Sequence, residues 1–272
     1  MALSAPGPAW LFCPADRPER FQKAAAAADV VILDLEDGVA AKDREAARAA
    51  LVTTPLDPAR TVVRINPTMT DDHHKDLEVL ARTPYTTVML AKTESGEQVR
   101  GLAPFDVVAL LETPLGALSA VEVARVDNTF ALMWGAEDLF AVLGGTSNRN
   151  PDGSYREVVR HVRSQTLLAA KAYSRLALDA VYLDIKDLDG LRCEVDDAVA
   201  VGFDVKVAIH PTQVAVIRAG YLPTPEQTRW AEHVLEAARD QRGVFAFEGI
   251  MVDAPVLRRA ERIVALTPHP GR

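Results

Sequence analysis

The stretch VVILDLEDGVAAKDREAARAALVTTPLDPARTVVRI, residues 30–65, holds one complete unit of the fold. Residues 30–35 are an apolar, β-branched run, residues 40–51 have helical character, and residues 62–65 are again a short β-branched run. Two strands joined by a crossover of this length pair in parallel. Both runs are nearly continuous in apolar character instead of alternating, as expected of strands covered on both faces.

The same unit recurs on either side. Strands are predicted at 10–13, 30–35, 62–65, 87–90, 107–111, 130–134, 181–184 and 205–209, with helical segments at 17–28, 40–51, 72–81, 95–102, 156–176 and 188–201. Eight alternating repeats predict an α/β chain folded as a (β/α)8 TIM barrel over residues 1–220. In the long helix, Val159, Val162, Thr166, Ala169, Ala170, Tyr173 and Leu176 fall on one face. Gly144, Gly145 and residues 148–153 form a polar, turn-rich connection long enough to act as a lid. Residues 221–272 remain as a helical extension, opening on the capping pattern Thr224-Pro225-Glu226-Gln227. Residues 245–256 are apolar but carry Glu248 and Asp253, so this extension is expected to pack either on its own barrel or on a neighbouring subunit.

The 272 residues are 49% hydrophobic and 25% charged, which excludes collagen-like, low-complexity and disordered chains. Lys plus Arg number 30 against 38 Asp plus Glu, a formal charge of −8 that repels nucleic acid where basic residues do not cluster. No run approaches a membrane span, no basic leader opens the chain, and Cys13 and Cys193 lack zinc or disulfide spacing. A cytoplasmic protein is predicted. Motifs for nucleotide loops, zinc proteases and serine hydrolases are absent from the sequence.

In such barrels the residues that follow the strands build the active site. Here these are Glu36 and Asp37, Arg64 and Asn66, Lys92 and Glu94, Glu112, Glu137 and Asp138, Asp184 and Asp187, and His210. Glu112 and Asp138 can supply two oxygen ligands to Mg2+, and Arg64 has the planar fork that grips a carboxylate. The competing arrangement pairs Arg64 with Glu112 or Asp138 in a purely structural network. Gly135 and Ala136 allow backbone N–H groups to approach a carboxylate, or simply make a tight turn. Lys92 at a strand end suits either a Schiff base or an ion pair, and His210 either substrate contact or a structural hydrogen bond. Cys13 is expected to be packing, and the adjacent His73 and His74 to be solvated.

At these residues the chain resembles the citrate lyase beta-subunit-like proteins, within the wider group of citrate lyase, aldolase and malyl-CoA lyase barrels. Seven ordered stretches carry the likeness: 11–21 (LFCPADRPERF), 31–39 (VILDLEDGV), 64–67 (RINP), 110–116 (LLETPLG), 135–139 (GAEDL), 209–211 (IHP) and 249–256 (GIMVDAPV). The resemblance implies a Mg2+-dependent homotrimer in which Glu112 and Asp138 bind metal, Arg64 binds a 2-oxo acid carboxylate, and Asp253 enters a neighbour's active site. The implied reaction is carbon–carbon cleavage of a 3-hydroxyacyl-CoA of the citryl, citramalyl, malyl or hydroxymethylglutaryl type, or the reverse condensation. Asp253, or Asp37 with a bound water, is the candidate base. Arg17, Arg20 and Lys23 are candidates for the coenzyme A phosphates, or else an exposed helix face. Alternatives are a subunit acting on an acyl-carrier-protein thioester and a noncatalytic metal and oxo-acid binder. Two features depart from the pattern: Ala91 stands where proline commonly precedes the lysine, and Asp37 stands where related pyruvate aldolases carry histidine.

Overall fold

The computed structural model describes residues 7–239, 241 and 243–267. Residues 1–6, read above for a leader, and residues 240, 242 and 268–272 of the extension lie outside them. Strands β1 (Ala9–Pro14), β2 (Val30–Asp34), β3 (Thr61–Ile65), β4 (Thr87–Leu90), β5 (Asp106–Leu111), β6 (Thr129–Trp134), β7 (Leu176–Asp179) and β8 (Val205–Ala208) are all parallel and close into a barrel in chain order. Trp10 of β1 pairs with Val207 of β8 to complete the ring.

The helices between them are α1 (Phe21–Ala27), α2 (Arg44–Thr53), α3 (Asp71–Leu80), α4 (Gly96–Arg100), α5 (Pro114–Leu118), α6 (Ala120–Ala124), α7 (Ala136–Leu143), α8 (Glu157–Ala172) and α9 (Leu188–Val201), with α10 (Pro211–Tyr221) after β8. Among the described residues no helix is long and apolar enough to cross a membrane.

Side chains alternate across each strand, and the barrel interior takes one parity. Trp10, Ile32, Val62, Met89, Leu110 and Met133 belong to the single cluster that fills it. The opposite parity faces the helices. Its charged residues lie in one sector, where Asp179 and Lys206, both fully buried, meet at 2.9 Å. Asp179 also accepts from Trp134 Nε1 at 2.7 Å and from Arg163 Nε of α8 at 2.9 Å, and Lys206 reaches Glu194 of α9 at 2.9 Å. Burial opposes the charge on Asp179, but Lys206 and Arg163 outweigh it and hold the carboxyl below its ordinary value.

The seventh strand is Leu176–Asp179, not 181–184, and α8 stops at Ala172 instead of running to 176. Tyr173 leaves the helical region and Ser174 turns left-handed with φ 55°, so Leu176 starts a strand. The predicted helix face holds for Val159, Val162, Thr166, Ala169 and Ala170, while Tyr173 and Leu176 lie beyond it. Val181 misled because it too packs on the barrel core, whereas Asp184 accepts from the Lys186 and Asp187 amides in a turn. The connection after β6 opens with α7 before it becomes the polar loop, so Asp138 stands in the first turn of a helix.

The chain divides into two compact units, 1–217 and 218–272. The second contains α11 (Pro225–Ala238), a hairpin of β9 (Phe245–Phe247) and β10 (Ile250–Val252), and α12 (Ala254–Leu266). Thr224 and Gln227 form the expected capping box. Glu248 and Gly249 make the hairpin turn with φ 48° and 77°, the paired left-handed geometry that follows the twist of two-residue hairpins. Trp230, Phe245, Phe247 and Leu257 pack around buried Val234 and Val252, which gives the unit its own small core.

Lys206→Ala leaves Asp179 with a buried charge that has lost a partner and should cost about 3 kcal/mol, read as a lower urea midpoint. Because Asp179 is depressed when folded, its contribution is complete above the unfolded value of 3.8 and disappears as pH falls through the folded one. The variant's deficit should therefore shrink in acid; a deficit independent of pH would count against the ion pair.

Candidate active site

The inward parity of the strands continues for two residues past the apolar core, and there it turns polar. Ile32 is followed on the same face by Asp34, Val62 by Arg64, Leu110 by Glu112, and Met133 by Gly135. Asp34, Glu36 and Glu112 are buried, and Arg64 is only 12% exposed. The mouth of the barrel therefore holds a compact charged cluster.

Arg64 grips Asp34 through two bonds, Nε to Oδ1 at 2.7 Å and Nη2 to Oδ2 at 2.6 Å, and its Nη1 lies 3.3 Å from Glu36 Oε2. Its guanidinium carbon sits 4.7 Å from the centre of the Phe12 ring. Burial works against the Arg64 charge, but Asp34 and Glu36 outweigh it and hold the group protonated. The structural network considered above thus exists with different partners. Arg64 binds Asp34 and Glu36, not Glu112 or Asp138.

Lys92 ends β4's sector in a left-handed conformation, φ 49°. That turn directs its amide to Glu112 Oε1 at 3.0 Å and its ammonium to Glu36, to Asp37 at 3.1 Å and to Asp138 at 3.3 Å. Of the two roles left open, Lys92 takes the ion pair. Burial alone would favour the neutral amine, but Glu36, Glu112 and Asp138 push its pKa above the usual value, away from the free amine that a Schiff base requires.

Glu112 is pushed up to about 8, first by burial and next by the charge of Asp138, against the pull of Arg64 and Lys92. Two carboxylates brought together so that one resists ionisation form a site that a divalent cation relieves, and hard oxygen donors are the set Mg2+ prefers. The residues therefore fit the metal. Among the described residues no group of three or more His, Cys, Asp or Glu converges as a cage, so further ligands would have to come from substrate and water. Asp37 is exposed; burial opposes its charge, yet Lys92 and Arg64 hold it below its ordinary value.

Gly135 is needed where it stands. A Cβ there would lie 2.7 Å from Glu112 Cβ and 2.8 Å from its Oε2, closer than side chains pack. Ala136 follows as the first residue of α7 and is buried.

Other candidates do not join this cluster. Asn66 ties strand ends together, donating to Leu35 O at 3.0 Å and to the buried Asp76 at 2.8 Å. Glu94 accepts from Thr113 and Glu137 from Asn148. Asp187 caps α9, and His210 bonds its neighbour Thr212 at 2.8 Å, the structural alternative. His73 is buried with Nδ1 2.9 Å from Asn66 O, correcting the expectation that both adjacent histidines are solvated; His74, on the other side of the helix, is exposed. The Cys13 thiol is buried and pushed up to about 11 by desolvation, consistent with packing. Arg17, Arg20 and Lys23 lie exposed after β1, with Arg17 and Arg20 beside Asp16 and Glu19. Asp253 caps α12 in the second unit, accepting from Val256 N at 3.4 Å.

The reading of sequence after each strand missed Asp34, because that residue was counted inside its strand. Inward parity was the signal that identifies it. The same reading missed a cavity of about 710 Å3 lined by Arg149, Tyr155, Arg163, Tyr182, Glu194 and Asp197, among others. It opens where α8 and α9 flank β7, and its Arg149 and Arg163 are already paired with Glu194 and with Asp179 and Asp197.

The HpcH/HpaI aldolase/citrate lyase family model matches residues 9–211. A citrate lyase subunit beta-like protein of Mycobacterium tuberculosis is 64% identical over 264 residues, 97% of each chain. A mitochondrial citramalyl-CoA lyase of Homo sapiens is 31% identical over 271 residues, 88% of this chain and 78% of that one. The crystal structure of CitE from Mycobacterium tuberculosis in complex with magnesium, acetoacetate and coenzyme A superposes with a TM-score of 0.94 at 64% identity, covering 96% of this chain and 98% of that one.

Gly135→Ala should force Glu112 out of register and weaken Mg2+ binding about tenfold or more, the penalty typical of disturbed ligand support. Calorimetric titration with MgCl2 reads this directly; unaltered affinity would remove Glu112 from the metal site.

Proposed function

Because the chain belongs to the HpcH/HpaI aldolase/citrate lyase family, we propose that it is a Mg2+-dependent lyase that splits a 3-hydroxyacyl-CoA into an acyl-CoA and a 2-oxo acid. The observation that carries this reading is the Arg64 guanidinium held at the same barrel mouth as Glu112 and Asp138, a carboxylate clamp beside a pair of hard-metal ligands. Magnesium held by Glu112 and Asp138 would polarise the oxygens of the substrate and offset the charge that develops on the oxo acid.

The chain's own residues supply the rest. Arg64 receives the carboxylate that becomes part of the 2-oxo acid, and Ala136, at the start of α7, offers its backbone N–H at the same mouth, whereas the Gly135 N–H already donates to Leu111 O at 3.1 Å, which corrects its expected part in binding. In cleavage, a base takes the hydroxyl proton, the carbon–carbon bond breaks, and its electron pair passes to the thioester fragment as an enolate. Reprotonation at carbon then yields the acyl-CoA. Asp37 is a poor base, since Lys92 holds its carboxyl low. Asp253 supplied by a neighbouring subunit is the better candidate, and a homotrimer would deliver it. Arg17, Arg20 and Lys23, all exposed, hold the coenzyme A phosphates in this scheme. A reducing cytoplasm suits the free thiols and the CoA chemistry.

The test is a screen of the purified chain with Mg2+ against citryl-, citramalyl-, malyl- and hydroxymethylglutaryl-CoA, following free thioester and oxo acid. Turnover of one of them is the expected result. No turnover of any free CoA thioester would favour a subunit working on a carrier-protein thioester or a binding protein. Asp138→Asn should lose activity and Mg2+ affinity together, and unchanged metal dependence would reject its role as a ligand. Mixing inactive Arg64→Ala and Asp253→Ala chains should restore part of the activity if the site is shared; mixtures that stay inactive would argue for a site within one chain.

A further inference from the structure

We propose that Asp34 is a positioning residue that sets which edge of Arg64 faces the substrate, an inference that rests on reading Arg64 as the oxo-acid clamp. A guanidinium has five N–H donors in a rigid plane and can meet a carboxylate along its Nε–Nη side or along its Nη1–Nη2 end. Asp34 takes the side: Nε and Nη2 each donate to one of its oxygens, at 2.7 and 2.6 Å. The Phe12 ring lies 4.7 Å from the guanidinium carbon. The pairwise edge that remains is the end, where Nη2 keeps its second donor and Nη1, 3.3 Å from Glu36 Oε2, has two hydrogens to share between Glu36 and a ligand. An incoming carboxylate meets Arg64 along that edge and does not have to displace Asp34.

An ion pair made of two side chains can pivot, and this one is prevented from doing so. Asp34 is 3% exposed, and both of its oxygens accept backbone amides, Oδ1 from Glu36 N and Oδ2 from Gly38 N, each at 2.9 Å. Four charge-assisted or backbone donors therefore converge on one carboxylate. The loop that supplies the two amides also carries Glu36 and Asp37, which are bound by Lys92. Orientation of the clamp and placement of the acidic loop are thus set by one side chain. Arg64 reaches the substrate; Asp34 acts through Arg64.

The experiment measures the dissociation constant of pyruvate in saturating Mg2+, the Mg2+ affinity and the thermal midpoint for Asp34→Asn, Asp34→Glu, Arg64→Ala and the double variant Asp34→Asn/Arg64→Ala. In Asp34→Asn the amide nitrogen presents hydrogens to donors, so pyruvate binding should weaken about tenfold, the loss of one charged hydrogen bond. The same substitution should add nothing once Arg64 is alanine, because the effect passes through that residue. Asp34→Glu keeps the charge but displaces the fork by a methylene, and it should also raise the pyruvate constant while leaving Mg2+ affinity in place. Three results would overturn the proposal: pyruvate affinity unchanged in either Asp34 variant, an equal loss in the Arg64→Ala background, or pyruvate and Mg2+ affinity falling together with the midpoint. If Arg64→Ala itself binds pyruvate normally, the clamp reading falls as well; if Arg64→Ala is weak and the Asp34 variants are not, only the positioning role falls.

Discussion

A closed eight-stranded barrel leaves no room for charge in its interior, and that constraint organises the molecule. Through the middle of the barrel the inward positions are apolar, from Trp10 to Val207. The charged groups of the mouth on that parity stand at the C-terminal ends of the strands, Asp34 and Arg64 in the last residues of β2 and β3 and Glu112 just past β5. They then arrive together, because neighbouring strands end at neighbouring heights. Asp34, Arg64 and Glu112 come from three different strands, yet each is simply the next inward residue after the core.

Once gathered, these groups determine one another's state. Asp34, Glu36, Asp37, Glu112 and Asp138 surround two cations, Arg64 and Lys92. The excess of negative charge falls on a buried member, Glu112, which is pushed up to about 8. Desolvation and a like charge act in the same direction there, whereas Asp37, more exposed and next to the ammonium, is drawn the other way. The imbalance is a property of the cluster that a cation would correct, so the chemistry of the donors and their electrostatics point to the same occupant. Lys92 takes a strained left-handed turn to touch both Glu112 and Asp138, and strain of this kind persists only where the surroundings hold it.

The outward parity shows the same rule under different conditions. Asp179 and Lys206 face the helices, where burial is complete, and each is tolerated only because its partners satisfy it: Trp134 and Arg163 for the acid, Glu194 for the base. At the mouth, by contrast, the charges are left incompletely balanced. A structural network and a candidate active site are built from the same residue types and differ in whether the account closes.

The order of elements was legible in the sequence: seven of the eight strands, the capping box at Thr224 and the buried face of α8 follow from local periodicity and backbone chemistry. Individual members of the mouth were legible too, since Glu112, Arg64 and Asp138 follow apolar runs. Local pattern failed at 173–184, where a left-handed serine ended a helix that periodicity would continue, and at α7, whose short apolar run after Gly135 carries no strong signal. Pairings were out of reach. That Arg64 binds Asp34 instead of Glu112, and that Lys92 bridges Glu36, Asp37 and Asp138, are matters of barrel register, and register relates residues far apart in the chain. Side-chain type and period are written residue by residue; which charge meets which is decided only when the strands close into a ring and bring their ends to one height.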